Sequence, residues 1–304
     1  MPGHFEPGSP GLALDLVNIV EIINRVPRMM SAARDFHAGA KHVGLVPTMG
    51  ALHEGHLSLM TRARELCDIL IVSIFVNPAQ FGPDEDFNRY PRDLARDAEL
   101  AFGRGVDFIF APSAEEMFPL GFSSYLTIEG LSTKLEGASR PGHFRGVTTV
   151  IAKLFNIVRP NFAFFGRKDA QQVVLIKRMV RDLAMDTEIV VCPTVREEDG
   201  LALSSRNAYL STIERKQATV LRRALERGRT LYHGGERDAA RLVKSMESII
   251  EGEPLARIDY VAISDAEQLE PIDPIPTDRP VLISLAVHIG QTRLIDNIVI
   301  NGEL

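Results

Sequence analysis

Two cysteines, Cys67 and Cys192, are all that the 304 residues contain. That is too few for a disulfide framework or a cysteine-rich metal cluster, and it makes a reducing cytoplasm the natural compartment, with both thiols buried spectators. Also missing is any apolar run near the ~20 residues that a membrane helix needs; the longest, residues 69–76, is strand-sized. Positive charge is not in excess. The formal net charge of −6 lends no support to nucleic-acid binding by bulk electrostatics, so any anion site must be local. The Gly-x-Gly-x-x-Gly fingerprint is absent, which counts against NAD. No carboxylate cluster identifies metal ligands; Asp84 and Asp86 read equally well as loop-surface charges. Residues 1–14 lack the charged and apolar regions of a signal peptide and read as a flexible extension outside the fold.

What is present is the composition of an ordinary soluble globular protein, 45% hydrophobic and 24% charged, in a chain long enough for one large domain or two ordinary ones. The stretch Val46-Pro47-Thr48-Met49-Gly50-Ala51-Leu52-His53-Glu54-Gly55-His56-Leu57 organises the rest. Residues 41–46 read as a buried parallel strand whose ladder Pro47 ends, and residues 57–66 have helical spacing. Between them, Gly50 and Gly55 let a backbone approach a ligand, and the helix start offers unpaired N–H groups and a positive dipole end to a phosphate. His53 and His56 are three apart rather than the four of zinc-binding His-Glu-x-x-His, which favours phosphate donation over zinc. An ordinary strand-to-helix turn with two surface histidines is the alternative.

Around this turn, strands and helices alternate. Residues 17–37 predict a helix, a break at Pro27 and a second helix; residues 68–76 a strand; residues 77–92 a long polar loop containing Gln80. A helix over 94–104, a strand over 106–110, an irregular acidic stretch with Glu115 and Glu116, and a short strand over 125–128 come next. Residues 136–146 predict a loop in which Arg140, His143 and Arg145 precede a helix over 147–158, a second junction that could face an anion. A strand over 161–165, a turn over 166–169, a helix over 170–183 and a strand over 187–191 complete a doubly wound parallel α/β sheet with ligands at the strand C-termini. After Pro193 the order changes to long helices over 212–232 and 237–252, then strands over 257–263, 281–289 and 292–300. That pattern predicts a smaller α+β domain with an antiparallel sheet, giving a large domain over 15–193 and a small one over 194–304.

Five stretches together, residues 46–57, 75–82, 140–146, 165–172 and 193–207, resemble the pantothenate synthetase family in order and spacing from about Val43 to the end. Members of that family are ATP-dependent ligases joining pantoate to β-alanine. The resemblance extends to the nucleotidyltransferase superfamily, with His53-Glu-Gly-His56 as the histidine signature and Leu203-Ser-Ser-Arg206 in place of the lysine-bearing one. It implies that pantoate attacks the α-phosphate of ATP, that pyrophosphate leaves, and that the amine of β-alanine displaces AMP. By this resemblance Met49, Gly50, Ala51, Leu52, His53, Glu54, Gly55 and His56 form the first ATP segment, with His56 the proton donor or transition-state stabiliser. Gly166, Arg167, Lys168, Asp169, Val195, Leu203, Ser204, Ser205 and Arg206 supply the other ATP contacts. Gln80 and Gln172 match the pantoate-binding glutamines, and Gln80 also lies near β-alanine.

The chemistry is consistent with those assignments. Displacement at phosphorus needs donors fixed on developing charge, and His53, His56, Lys168, Ser204, Ser205 and Arg206 provide them. Neutral glutamine amides orient a carboxylate without quenching it. A helix starting around Lys168 would put Gln172 on the face of Lys168 and turn Gln171 toward solvent or packing, so that Gln171→Ala stays near wild type. Mg²⁺ is implied by ATP with its ligands open, and a homodimer through the large domain is implied by the resemblance. Nucleic-acid and membrane partners are not expected. Two other readings compete: a nucleotidyltransferase that keeps the nucleotide on its product, and a nucleotide-sensing module without catalysis.

Overall fold

Residues 69–74, Ile-Leu-Ile-Val-Ser-Ile, are apolar on both faces of a strand, and only helices above and below can bury both. The computed structural model describes residues 20–83 and 85–304. It opens with β1 (Glu21–Ile23), α1 (Val26–Ala38), β2 (Val43–Thr48), α2 (Glu54–Leu66) and β3 (Ile69–Ile74). Next come α3 (Leu94–Phe102), β4 (Phe108–Phe110) and the one-turn helices α4 (Ala114–Met117) and α5 (Glu136–Ser139). α6 (His143–Val158), β5 (Phe162–Gly166), α7 (Ala170–Asp182) and β6 (Glu188–Cys192) complete a parallel sheet in the order β1-β4-β3-β2-β5-β6. Its two cores are separate in composition. Leu57, Met60 and Ala63 of α2 and Ala101 of α3 pack on one face; Met29 of α1, Leu154 of α6 and Val173 and Ile176 of α7 pack on the other. This is the doubly wound α/β sheet that the sequence predicts.

The strand order runs outward from β2 through β3 and β4, then returns to β5 on the opposite side of β2. The topological switch therefore lies between β2 and β5, where open α/β sheets take ligands. These two strands pair only at Gly44 with Phe162 and Leu45 with Ala163. Pro47 does not end β2: its register with β3 continues through Pro47–Ser73 and Thr48–Ile74. The carbonyl of Thr48 accepts the Phe75 N–H at 3.1 Å on the β3 side, so by alternation Pro47 faces β5. Its missing donor falls where pairing has already stopped.

The remaining chain forms α8 (Thr212–Gln217), α9 (Val220–His233), α10 (Ala239–Glu251), and the strands β7 (Ala256–Asp265), β8 (Val281–Ile289) and β9 (Thr292–Ile300). These strands make a separate antiparallel sheet ordered β7-β8-β9. Leu225, Met246, Ile283 and Val287 centre the core between that sheet and α9 and α10.

Several local expectations are corrected. Glu21–Ile23 is a strand paired with β4, and Pro27 sits in the first turn of α1, where its absent N–H breaks no helical bond, rather than between two helices. The extension over 1–14 and the start of the first predicted helix lie outside the described residues. Ser113 caps α4 within the stretch predicted to be irregular. Residues 125–128 are not a strand: Leu126 donates its N–H to Thr149 Oγ1, and its carbonyl accepts from Thr148 Oγ1, both on α6. Residues 136–146 are not one loop either. They contain α5 and the first turn of α6, which begins at His143 rather than at Val147. The helix predicted over 212–232 is broken at Ala218–Thr219, where Thr219 Oγ1 binds the carbonyl of Lys216.

Gln171, in the first turn of α7, is buried rather than solvent-facing. Its Nε2 donates to the carbonyls of Leu131 (3.1 Å) and Lys134 (2.8 Å), and its Oε1 accepts from Glu136 N–H (3.0 Å). Removing this amide strands three backbone groups, in two buried bonds and one half-buried, so Gln171→Ala is expected to lose about 1–3 kcal/mol of stability. Urea denaturation at constant m-value checks this, and an unchanged midpoint would contradict it.

Candidate active site

The turn between β2 and α2 reverses direction through two left-handed residues, Gly50 (φ 82°) and Ala51 (φ 51°). Asp97 of α3, only 1% exposed, holds it there: Oδ2 accepts from Ala51 N–H (2.9 Å) and Oδ1 from Leu52 N–H (2.8 Å). A Cβ on Gly50 would stand 2.8 Å from Asp97 Oδ2, so both the positive φ and the close approach call for glycine. Gly50 N–H goes to Thr48 Oγ1 (3.1 Å), and Gly55 N–H to Nδ1 of His53, the N-cap of α2 (3.2 Å). Of the helix-start donors expected to be open to phosphate, the N–H groups of Gly55, His56 and Leu57 are therefore engaged within the protein, all three by His53. Gly50, Ala51 and Leu52 lie behind the cleft, and Glu54 points away to Arg104 (3.1 Å).

The cleft itself opens beside β2 and β5 and has a volume of about 230 Å³. Met49, His53, Gly55 and His56 line it from the first turn. The His53 and His56 rings lie 4.1 Å apart between centroids. Burial, then neighbouring His53 and Lys168, drives the His56 pKa down to about 3; burial and Lys168 lower that of His53. Both imidazoles are thus neutral at pH 7. His56 Nδ1 is closed to solvent and unpartnered, so the ring meets the cleft along its other edge.

Gln80 ends a 3₁₀ turn (Pro78–Gln80) that follows β3 and is capped by Asn77. Asn77 is buried; its Nδ2 donates to Gln80 Oε1 (3.0 Å) and to Gly146 O (3.1 Å), while Gln80 Nε2 approaches Met49 Sδ (3.1 Å). With its oxygen occupied, Gln80 offers the cleft N–H groups. His143 Nδ1 bonds the Gln80 carbonyl (2.8 Å), and burial followed by Arg140 lowers its pKa to about 4. Arg140 clasps Glu85 through Nε and Nη2, both 2.7 Å. Arg145 does not join this group and stacks instead on Tyr125, 3.6 Å from the ring centroid.

From the other wall come Gly166, Lys168, Asp169 and Gln172. Lys168 lies in a 3₁₀ turn (Arg167–Asp169), because α7 begins only at Ala170; Gln172 lines the cleft and Gln171 does not. Arg167 contributes a carbonyl to Asn297 rather than a side chain to the cleft. Val195 and Leu203 face each other across a tight hairpin, Leu203 N–H donating to Val195 O (3.0 Å), and the hairpin delivers Ser204, Ser205 and Arg206. Arg206 makes a two-bond pair with Asp86 (3.0 and 2.8 Å), which is therefore not a free surface charge, and Ser205 meets Tyr90 Oη at 3.2 Å. Asp84 lies outside the described residues. Among those described, no group of three or more His, Cys, Asp or Glu could hold a metal ion.

Sequence reasoning missed Asp97, Asn77 as a support for Gln80, and Asn297. Asn77 had a local signal, an Asn-Pro pair after a strand. Asp97 and Asn297 are far along the chain from the turns they hold, and no spacing rule reaches them.

Residues 20–299 match the family described as pantoate–β-alanine ligase. The pantothenate synthetase of Pelotomaculum thermopropionicum is 56% identical over 93% of this chain and 99% of its own. That of Moorella thermoacetica is 58% identical over 89% and 96%. Among solved structures, the pantothenate synthetase of Thermus thermophilus superposes with a TM-score of 0.86 at 46% identity, covering 92% of this chain and 99% of that one. The pantoate–β-alanine ligase of Francisella tularensis, solved with β-γ ATP and β-alanine, gives 0.76 at 35%, covering 92% and 97%. With the family match spanning nearly the whole chain and its relatives aligning end to end, the chain belongs to the pantoate–β-alanine ligase family.

Proposed function

We propose that this ligase joins pantoate to β-alanine with ATP through a pantoyl adenylate. One observation carries the reading: a single cleft at the β2/β5 switch collects two neutral amides, Gln80 and Gln172, together with the donors His53, His56, Lys168, Ser204, Ser205 and Arg206. The amides orient pantoate. Its carboxylate oxygen attacks the α-phosphorus, the bond from that phosphorus to the bridging oxygen breaks, and pyrophosphate leaves. The β-alanine amine then attacks the acyl carbon; the C–N bond forms, the acyl–oxygen bond breaks, AMP departs and the amine releases a proton.

His56 and Lys168 serve the charge that builds on the phosphates. Among the described residues, no group of three or more His, Cys, Asp or Glu forms a cage for Mg²⁺. The ion belongs to this proposal as a companion of the triphosphate, which suits its preference for water and phosphate oxygens, and no step is routed through it. The division into a nucleotide domain over 15–193 and a lid over 194–304, a homodimer through the large domain and a cytoplasmic location belong to the same proposal. No helix among the described residues is long and apolar enough to cross a membrane.

The deciding experiment is isotope exchange of pyrophosphate into ATP. Pantoate alone should support it; exchange only after addition of β-alanine, or release of ADP in place of AMP, would sink the adenylate route. In the same assay His56→Ala is expected to lower kcat by ~10² to 10³ with little change in Tm, as when one preorganised donor is lost. Lost stability at preserved kcat would instead make His56 a packing residue.

The lowered histidine pKa values also predict acid sensitivity. His56 (about 3) and His143 (about 4) stay neutral in the folded chain, whereas unfolded histidine takes up a proton below about 6.5. The unfolded state then binds more protons, so stability must fall as pH drops from 6.5 toward 4. His143→Gln should flatten that fall in Tm-versus-pH curves. Identical slopes in mutant and parent would place the proton uptake elsewhere.

A further inference from the structure

Strand β9 carries two adjacent buried polar residues, Asp296 (2% exposed) and Asn297 (5% exposed). Both hydrogens of the Asn297 amide are committed: Nδ2 donates to the carbonyls of Arg167 (3.0 Å) and Lys168 (2.8 Å). Oδ1 is closed to solvent and has no partner. The amide can sit only this way round, because the reversed orientation would press its oxygen against two carbonyl oxygens.

Asp296 serves the opposite wall. Its carboxylate accepts the Asn297 N–H (2.8 Å) and two bonds from Arg196 (2.6 and 2.9 Å). Arg196 also donates to Gly200 O (3.1 Å) and bridges Ala202, at the root of the hairpin that carries Ser204 to Arg206. One dipeptide of the antiparallel sheet is thus tied to both walls of the cleft.

The lysine turn needs such an anchor. It is a three-residue 3₁₀ segment without a side-chain cap. The carboxylate of Asp169 is 3.8 Å from Lys168 Nζ, too far to fix the long side chain by a hydrogen bond. We infer that Asn297, braced by Asp296, is a positioning residue for adenylate formation: it fixes the turn that aims Lys168 at the phosphates and sets its separation from Ser204–Arg206. The inference rests on the ATP-binding role proposed for Lys168.

Pyrophosphate exchange with pantoate and ATP tests it, on Lys168→Ala, Asn297→Ala, Asn297→Asp and the Lys168→Ala/Asn297→Ala double variant, each well below its own Tm. A misplaced donor is expected to lower kcat by about 10- to 100-fold in Asn297→Ala, with the KM for pantoate within about threefold of the parent. Asn297→Asp keeps the shape but sets an acceptor against both carbonyls, so it should fall at least as far as Asn297→Ala. The double variant should be no slower than Lys168→Ala alone, since the two residues act through one contact.

Greater activity in Asn297→Asp than in Asn297→Ala would show that the side chain only fills space, and additive losses in the double variant would show that it acts by another route; either overturns the inference. Wild-type exchange in Lys168→Ala would remove the role of Lys168 itself, a failure distinguishable because it appears without any change at Asn297. Should Asn297→Ala not fold, Asn297→Ser, which keeps one donor, decides on the same terms.

Discussion

The contact on which the site depends is the buried carboxylate of Asp97 against the amides of Ala51 and Leu52. Two consecutive residues at positive φ, Gly50 and Ala51, accompany a turn whose Ala51 and Leu52 N–H groups point to a single anion. Here the anion is supplied by α3. Burial pushes the Asp97 carboxyl up while the two amides pull it back down, and the pair of charge-assisted bonds offsets the strain of an alanine at positive φ. An internal carboxylate in this position leaves no room there for a phosphate. What lines the cleft is instead side chains of the helix start and of the facing wall.

Those side chains are arranged under a net negative charge. Arg140 is held by Glu85, Arg206 by Asp86, and Arg196 by Asp296. Each pair joins segments distant in sequence, so each carboxylate does two things: it offsets a half-buried cation, and it fixes a loop. The loop over 77–92 and the Ser204–Arg206 hairpin meet through Asp86 and Tyr90 in this way. The guanidinium groups of Arg140 and Arg206, which line the cleft, are thus already oriented by carboxylates.

Legibility in the sequence followed the range of the interaction. β3, β8 and β9 could be placed because their apolar patterns report burial directly, and His53 and His56 because they sit in a strand-to-helix turn, whereas residues 80, 168 and 172 were legible only through the family resemblance. Glu21–Ile23 could not be placed: three residues carry no period, and only pairing with β4 makes them a strand. Residues 125–128 look like a strand by composition, yet their backbone is satisfied by Thr148 and Thr149, a solution that no propensity encodes. Gln171 and Gln172 show the same divide within one dipeptide. Helical phase separates their directions, but whether the outward one meets water or three backbone groups depends on residues 131–136, and that is a tertiary fact.

The supports at Asn77, Asp97 and Asn297 share a chemical logic with the groups they hold. The glutamines stand among neutral groups, Gln80 with its oxygen bound to Asn77, Gln172 with a free amide, and imidazoles kept uncharged by burial, while the nearby Arg140 guanidinium is paired with Glu85. On the proposed route a carboxylate entering among them would be oriented without losing its charge to a proton, and would keep the nucleophilicity that attack on phosphorus requires. Two further cationic groups, Lys168 and Arg206, line the same cleft, and in the proposed function they serve the phosphates. In that proposal the cleft separates two tasks that one charge type could not perform together: presenting an anion as a nucleophile, and drawing negative charge away from the centre it attacks.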